Sequence, residues 1–554
     1  MRQYIFIAAV LVTIITAASC QAEKHHTADC CDTMMLRLDI DNTISEEACQ
    51  RTLAQLRAYP LSCDEVWFST GLGIRPLEVH EQHAQHLMNA KEALADLGIS
   101  YSVQIQMTIG HGGPFGIAEE WIGKTWTGWT GSTGVEDKYC NCPRQSDYLE
   151  YIRSMTHIYA ATKPKTLWID DDLRYDNHRP ATDGSRIGCW CPTCIADFSA
   201  QEGHEWTRET LDAAMATDTL LEQRWKLFSI QSLQQVARVI AQEAHAVSPS
   251  TKMGYQKTYF DPDTTVVRTI LQTLAEESGQ KVSYRLGGGS YYDKYHPVDQ
   301  IVKSMDAARF MRVLGCPDFV ESWCPEIESW PRHYGSRSGQ AVLIEGFSAL
   351  AFGMDAISYF TVDQGEESLE VQYRSMFRPL QEGSETLREY ARANKGTQAV
   401  GFRAGSDNYS LFDFGMLGIP VLPGVGKSLG TLDNEDLQSV DMFAQTSADI
   451  QSFREKLCQE VESPVLCCAP FIGLVLPRIS EDGTLKTLGL INCRIDQQEC
   501  ILFQLPNIPA NIKKAVWYEL RKKPVSLPIV RDEDGTAYVE VPSIAAWNAG
   551  FVCF

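Results

Sequence analysis

Between Met34 and about Gly396 the chain repeats one pattern eight times: a short apolar, strand-like run followed by an amphipathic stretch with helical spacing. The strand-like runs read "MMLRLDI", "EVWFST", "SYSVQIQMTI", "KTLWIDD", "KMGYQKTYF", "KVSYRLGG", "DFVESW" and "DAISYFTV". Stretches such as "EEACQRTLAQLRAY" and "LQQVARVIAQEAHAV" space their apolar residues for one helix face. Eight strand–helix units in succession predict a closed parallel barrel. A doubly wound sheet would put a glycine-rich phosphate turn after the first strand, and none is present there. The expected fold class is therefore α/β, a (β/α)8 TIM barrel over residues 34–396.

Beyond the barrel, residues 397–463 read as a small mixed α/β domain. From residue 464 to 554, short alternating runs such as "FIGLVLPRI" and "CILFQLP" predict a C-terminal antiparallel β-sandwich. At the other end, "MRQYIFIAAVLVTIITAASC" has one basic residue, an apolar run too short to span a bilayer, and small residues at its close. It reads as a signal peptide over residues 1–19. The "AASC" ending resembles a bacterial lipobox, which makes Cys20 a lipidation site, with ordinary cleavage near Ala22 as the alternative. The expectation is an exported protein, periplasmic or at the cell surface, touching a membrane only through that anchor. A net charge of -22 argues against a nucleic-acid partner, because no broad basic face could neutralise phosphates.

The fourth strand-like run ends in "DDD", Asp170 to Asp172, where a barrel places its catalytic groups. The seventh supplies a second acidic cluster in "DFVESWCPEIESWP", with Glu321, Glu326 and Glu328. Opposed carboxyls on strands four and seven are what glycosidic-bond hydrolysis requires: one donates a proton to the leaving oxygen while the other, ionised, faces the anomeric carbon. Aromatic residues crowd the same strand ends, including Trp168, Tyr259 and Trp330, and sugar rings present flat C–H faces to such rings. Arg37, Arg174, Gln256 and Arg285 could bond hydroxyls. A salt-bridge cluster or a divalent-cation site is the alternative use of the three aspartates.

"GCWCPTC" sets Cys189, Cys191 and Cys194 within six residues, directly after the fourth strand. This spacing leaves an odd thiol if one disulfide forms, and suits tetrahedral zinc with a fourth ligand from elsewhere. "YCNCP" offers Cys140 or Cys142. One disulfide with free thiols is the other arrangement, favoured by export. A four-thiolate site would be structural.

Together "WIDDDLRY", "GCWCPTCIADF", "IESWP" and "ALAFGMDAISYF" resemble a glycoside hydrolase family 42 β-galactosidase or a divergent relative in its clan. The resemblance implies a zinc site made by Cys142, Cys189, Cys191 and Cys194, and Glu328 as nucleophile, with Glu326 next in line. It also implies a post-barrel domain often used for assembly, so copies of the chain could form a homo-oligomer. Where the family has asparagine then its acid/base glutamate, this chain has Asp171 and Asp172. Aspartate is one methylene shorter, which alters the reach of the proton donor. The resemblance thus implies a retaining hydrolase of galactosides or related β-linked glycans. Its catalytic residues would be Asp172 (Asp171 as alternate) and Glu328. Substrate would meet Arg37, Trp168, Arg174, Tyr259, Arg285, Glu326 and Trp330. A non-hydrolytic carbohydrate-binding protein on a degenerate barrel is the alternative.

Overall fold

The computed structural model describes residues 33–554 apart from 112–125, 176–184, 258–262, 290, 292–296, 331, 333–335, 363–368, 405–407, 433–445 and 469–470. The signal segment, Cys20 and Tyr259 lie outside the described residues.

Strands β1 (Met34–Leu38), β2 (Glu65–Ser69) and β3 (Ser100–Ile105) are followed by an antiparallel hairpin, β4 (Gly128–Thr130) and β5 (Glu136–Asn141). Then come β6 (Thr166–Ile169), β7 (Lys252–Lys257), β8 (Val282–Leu286), β9 (Val320–Glu328) and β10 (Ile357–Phe360). All but the hairpin close into one parallel barrel in the order β1-β10-β9-β8-β7-β6-β3-β2. The eight runs read from sequence are its eight strands. They carry few exposed residues because side chains fill the inside and helices cover the outside.

Inside the barrel, Trp67 stacks on Trp168 with ring centroids 3.9 Å apart, packed with Met35, Cys324 and Ala356. Gly254 on β7 makes room for them, since a Cβ there would lie 2.3 Å from the Trp168 ring. This indole pair fills the barrel's middle and leaves the C-terminal mouth for polar groups.

Among the described residues, ten α-helices flank or extend the barrel from β1 to the end of its last unit. The N-terminal ones are α1 (Glu46–Ala58), α2 (Leu77–Asp96) and α3 (Ser146–Ala161). After β6 the chain makes an excursion through α4 (Pro192–Glu202) and α5 (Arg208–Met215) before the long α6 (Thr219–Val247). The three thiols run from the loop after β6 (Cys189, Cys191) into the first turn of α4 (Cys194). Helices α7 (Thr265–Ser278), α8 (Pro297–Leu314), α9 (Gly339–Ala351) and α10 (Leu369–Asn394) complete the set. Side-chain caps mark several starts: Ser45 accepts from Ala48 N–H, Asp218 from Leu220 and Leu221 N–H, and Ser338 from Ala341 N–H.

The C-terminal part is one antiparallel-rich sheet. Strand β11 (Gln398–Ala404) pairs parallel with β13 (Gly426–Leu432) and antiparallel with β15 (Gly473–Ile479), which also takes β12 (Leu417–Pro420). Strands of the 397–463 segment therefore share hydrogen bonds with those after residue 464. The sheet continues through β16 (Leu485–Asn492), β21 (Asn548–Cys553), β18 (Lys514–Glu519), β19 (Val525–Arg531), β20 (Ala537–Ile544), β17 (Gln498–Leu505) and β14 (Leu466–Cys467). Leu488 and Leu490 of β16 share one apolar core with Ile501 and Phe503 of β17, so the two ends of the sheet close over each other as a sandwich does.

Candidate active site

The mouth of the barrel holds a cavity of about 170 Å³. Its wall includes Arg37 and Asp39 from the end of β1, Gln106 after β3, Asp170 and Asp171 after β6, Gln256 on β7, and Glu326 and Glu328 on β9. His111, Arg174, Tyr291, Trp330, Arg332 and Phe360 complete the polar and aromatic lining.

The three aspartates after β6 diverge. Asp170 accepts from Arg37 Nη2 at 2.9 Å, Gln106 Nε2 at 2.8 Å and the Asp171 backbone N–H at 2.9 Å. Its pKa is raised: burial, with Asp171 and Asp172, outweighs the pull of Arg37 and of the Asp171 N–H. The three donors on its carboxylate oppose that rise and fix the direction in which its oxygens point. Asp171 faces the cavity and pairs with Arg174 at 3.2 Å.

Asp172 turns away. Its side chain is fully buried; one oxygen accepts from Met107 N–H at 3.0 Å and the other meets His111 Nδ1 at 2.5 Å. The resemblance places the proton donor at Asp172, and the structure instead seals that carboxyl behind His111, off the cavity wall. Met107 adopts φ 61°, a left-handed conformation uncommon for a residue with a side chain.

On β9, Glu326 accepts from Gln256 Nε2 at 3.3 Å and Gly288 N–H at 3.2 Å, with Arg285 at 3.6 Å. Glu328 has looser company: Arg37 at 3.7 Å, Arg285 at 3.8 Å and Arg332 at 3.9 Å. Burial raises its pKa to about 7; Arg37, Arg285 and Arg332 oppose the rise, and neighbouring Glu326 adds to it. Glu321 is at the opposite end of β9, paired with Lys252 at 2.6 Å, and takes no part.

The other expected contacts divide. Arg37, Arg174, Glu326 and Trp330 reach the cavity, and Trp330 is 40% exposed with Arg332 packed 4.8 Å from its ring. Arg285 is wholly buried behind the two glutamates, donating to Ser358 and Gln256. Trp168, expected at the substrate, lies in the barrel interior against Trp67, because residues alternate along a strand and its position points into the packed layer. Asp170, named from sequence only as one of the three aspartates, is joined by His111, Gln106, Asp39 and Arg332, which stand outside the set expected from sequence. Four of the five follow directly or closely on a barrel strand, the usable signal; Asp170 closes the apolar run "TLWI", and His111 sits in the glycine-flanked "IGHGG".

The four thiols of Cys142, Cys189, Cys191 and Cys194 converge. All four sulfurs lie within 4.8 Å of one another and are buried, with Cys142 at 3.4 Å from Cys194 and 3.5 Å from Cys191. Those spacings are far beyond a disulfide bond of about 2 Å. They bracket the separation of about 3.8 Å that tetrahedral zinc with Zn–S bonds of about 2.3 Å would set. Cys140 stands apart and points its thiol at the Gly110 carbonyl, 3.5 Å away. The cluster ties β5 to the start of α4, where Cys191 precedes Pro192.

No family model matches the chain, and no curated protein matches it in sequence. In structure it is similar to α-L-fucosidase isoenzyme 2 from Paenibacillus thiaminolyticus, with a TM-score of 0.59, 8% identity, and 95% of this chain and 100% of that one covered. It is also similar to a catalytic mutant of a GH42 β-galactosidase from G. stearothermophilus, with a TM-score of 0.53, 11% identity, and 94% and 98% covered. A β-galactosidase from Bacillus circulans sp. alkalophilus gives a TM-score of 0.50, 11% identity, and 94% and 98% covered. These likenesses establish the fold. The barrel and the sheet after it are matched together, over nearly the full length of each neighbour.

Proposed function

We propose that the chain is a glycoside hydrolase working by a retaining, two-carboxylate mechanism, with Asp170 as nucleophile and Glu328 as acid/base. The observation that carries this is the contrast across Arg37, which meets Asp170 at 2.9 Å and Glu328 at 3.7 Å in the same cavity. Asp170, fixed by three donors, suits the ionised role; Glu328, pushed up to about 7, suits the group that gives and takes a proton near neutrality. This reverses the roles that the family resemblance implies for the two strands. An Asp170 oxygen attacks the anomeric carbon while the glycosidic C–O bond breaks, and the leaving oxygen takes the Glu328 proton. Glu328 then takes a proton from water, whose oxygen attacks the anomeric carbon, breaks the ester to Asp170 and restores both carboxyls.

The named activities of the structural neighbours, β-galactosidase and α-L-fucosidase, support galactosides and fucosides as the first substrates to try. Purified protein screened on chromogenic α- and β-glycosides, with product anomers followed by NMR, is expected to turn over one of them with retention. Turnover unchanged in a folded Glu328→Gln variant overturns the reading. Glycan binding with no turnover anywhere in the panel favours the non-hydrolytic alternative.

The four-thiol cluster is proposed to hold one structural zinc, which would brace the loops after β5 and β6 without entering the chemistry. Elemental analysis is expected to find one zinc per chain, lost in Cys191→Ser together with several degrees of melting temperature. Export and a lipid on Cys20 belong to the same proposal. Fatty-acid labelling that disappears in Cys20→Ser supports the anchor, and unlabelled wild-type protein removes it.

A further inference from the structure

The sealed Asp172 and the mostly buried His111 form a second device in the same mouth, and its interpretation rests on the glycosidase reading above. We propose that His111 is a substrate-contacting residue that donates a charge-assisted hydrogen bond to a hydroxyl of a neutral sugar beside Asp171, and that Asp172 is the positioning residue that holds its ring.

Three observations converge on this. His111 lines the cavity, and its Nδ1 is committed to Asp172 at 2.5 Å, so a bond to substrate would come from Nε2. Asp172 cannot swing away, because its second oxygen is taken by Met107 N–H at 3.0 Å and the side chain has no exposure. The backbone beneath the ring is pinned by the β4–β5 hairpin: Asn141 N–H donates to Ile109 O at 2.6 Å, and the Cys140 thiol to Gly110 O at 3.5 Å. Gly110 is required there, with φ +124° and only 2.2 Å between a would-be Cβ and the Tyr139 carbonyl oxygen. Two residues after Cys140 comes Cys142, so the four-thiol cluster anchors the hairpin that carries the load.

Electrostatics make the ring a cation. Burial works against protonation, but Asp172, Asp171 and Asp170 outweigh it and raise the His111 pKa to about 9. An imidazolium can only donate, and a charged donor bonds a hydroxyl more strongly than a neutral one. The sugar class follows from the wall as a whole. Four cationic side chains (Arg37, His111, Arg174 and Arg332) face five carboxyls (Asp39, Asp170, Asp171, Glu326 and Glu328), leaving no positive surplus for a carboxylated or sulfated sugar. Asp172 thus serves as the histidine's counter-ion, where the resemblance would have made it the proton donor.

The test uses the full mature chain with p-nitrophenyl β-galactoside, p-nitrophenyl α-L-fucoside and, as the anionic control, p-nitrophenyl β-glucuronide. His111→Ala, and His111→Gln as a second variant should the first fold poorly, are expected to lower kcat/KM on the neutral substrate about a hundredfold. Asp172→Asn is expected to lower it about tenfold, and the double variant to be no worse than His111→Ala alone, since one residue acts through the other. Histidine ¹⁵N titration is expected to put the His111 midpoint near 9 in the wild type and closer to an ordinary histidine in Asp172→Asn. His111→Ala within twofold of wild type overturns the proposal, as does preferred turnover of the glucuronide. So does Asp172→Asn abolishing turnover where His111→Ala does not, which would make Asp172 itself the acid. If Asp170→Ala and Glu328→Ala are dead while His111→Ala is unaffected, the glycosidase reading stands and this inference falls. If wild type turns over nothing, the glycosidase reading falls, and galactose binding by calorimetry decides: binding lost in His111→Ala supports the inference, while equal or absent binding overturns it.

Discussion

The two acidic strand ends of this barrel are neutralised in different ways. After β6, three consecutive carboxylates each have a close positive partner: Asp170 has Arg37 at 2.9 Å, Asp171 has Arg174 at 3.2 Å, and Asp172 has His111 at 2.5 Å. On β9, Glu326 and Glu328 share a looser set of arginines, none nearer than 3.6 Å. Tight pairing fixes a carboxylate's direction and favours its charge. Loose shared pairing leaves burial and the neighbouring glutamate to raise Glu328 to about 7. A barrel can thus keep one side of its mouth ionised and the other ready to exchange a proton, using the same residue types on both.

The largest way to break this contrast is to remove the proton carrier. Glu328→Gln is expected to lower kcat on the order of a thousandfold for substrates with poor leaving groups, measured by steady-state kinetics, and much less for an activated dinitrophenyl glycoside.

Stability should respond in the opposite sense. Asp170→Asn takes the charge from beside a buried Arg37 and is expected to cost about 3 kcal/mol, read from denaturant unfolding. Glu328→Gln removes a carboxyl that burial already disfavours when ionised, and is expected to leave stability unchanged or slightly raised at pH 8. Equal losses from both would erase the distinction between tight and loose pairing.

The pH profile sharpens it further. Glu328 must be protonated to donate, so kcat/KM is expected to fall as pH rises through about 7. Glu326 contributes to that raised value, so Glu326→Gln should move the alkaline limb to lower pH. The smallest effect is expected at the rim. Trp330→Ala should lose about 1 kcal/mol of apolar contact, about fivefold in KM, with kcat little changed.

Much of this layout is legible in the chain. "TLWI" and its seven counterparts are rich in β-branched, aromatic and other apolar residues and buried over most of their length because both faces of a barrel strand are covered, and that marks them as strands. The cysteine loop is legible because short spacing alone forces three thiols together. Which of three successive aspartates faces substrate is another matter. It depends on Arg37 from β1, Arg174, and His111 from a loop held by a hairpin, partners up to 133 residues away in the chain. Trp168 misleads for a related reason: an aromatic near a strand's end suits a sugar platform or a packed interior equally well, and Gly254, whose missing side chain accommodates its ring, decides for the interior.

The central claim is the division of labour between Asp170 and Glu328, and azide rescue tests it most directly. Asp170→Ala and Glu328→Ala would each be assayed on an activated aryl glycoside with added azide, and the configuration of the glycosyl azide read by NMR. Azide replacing a nucleophile attacks directly and inverts; azide entering after loss of the acid/base opens the glycosyl-enzyme and gives net retention. The account predicts inversion with Asp170→Ala and retention with Glu328→Ala. The reverse pattern would contradict it and return the nucleophile to β9.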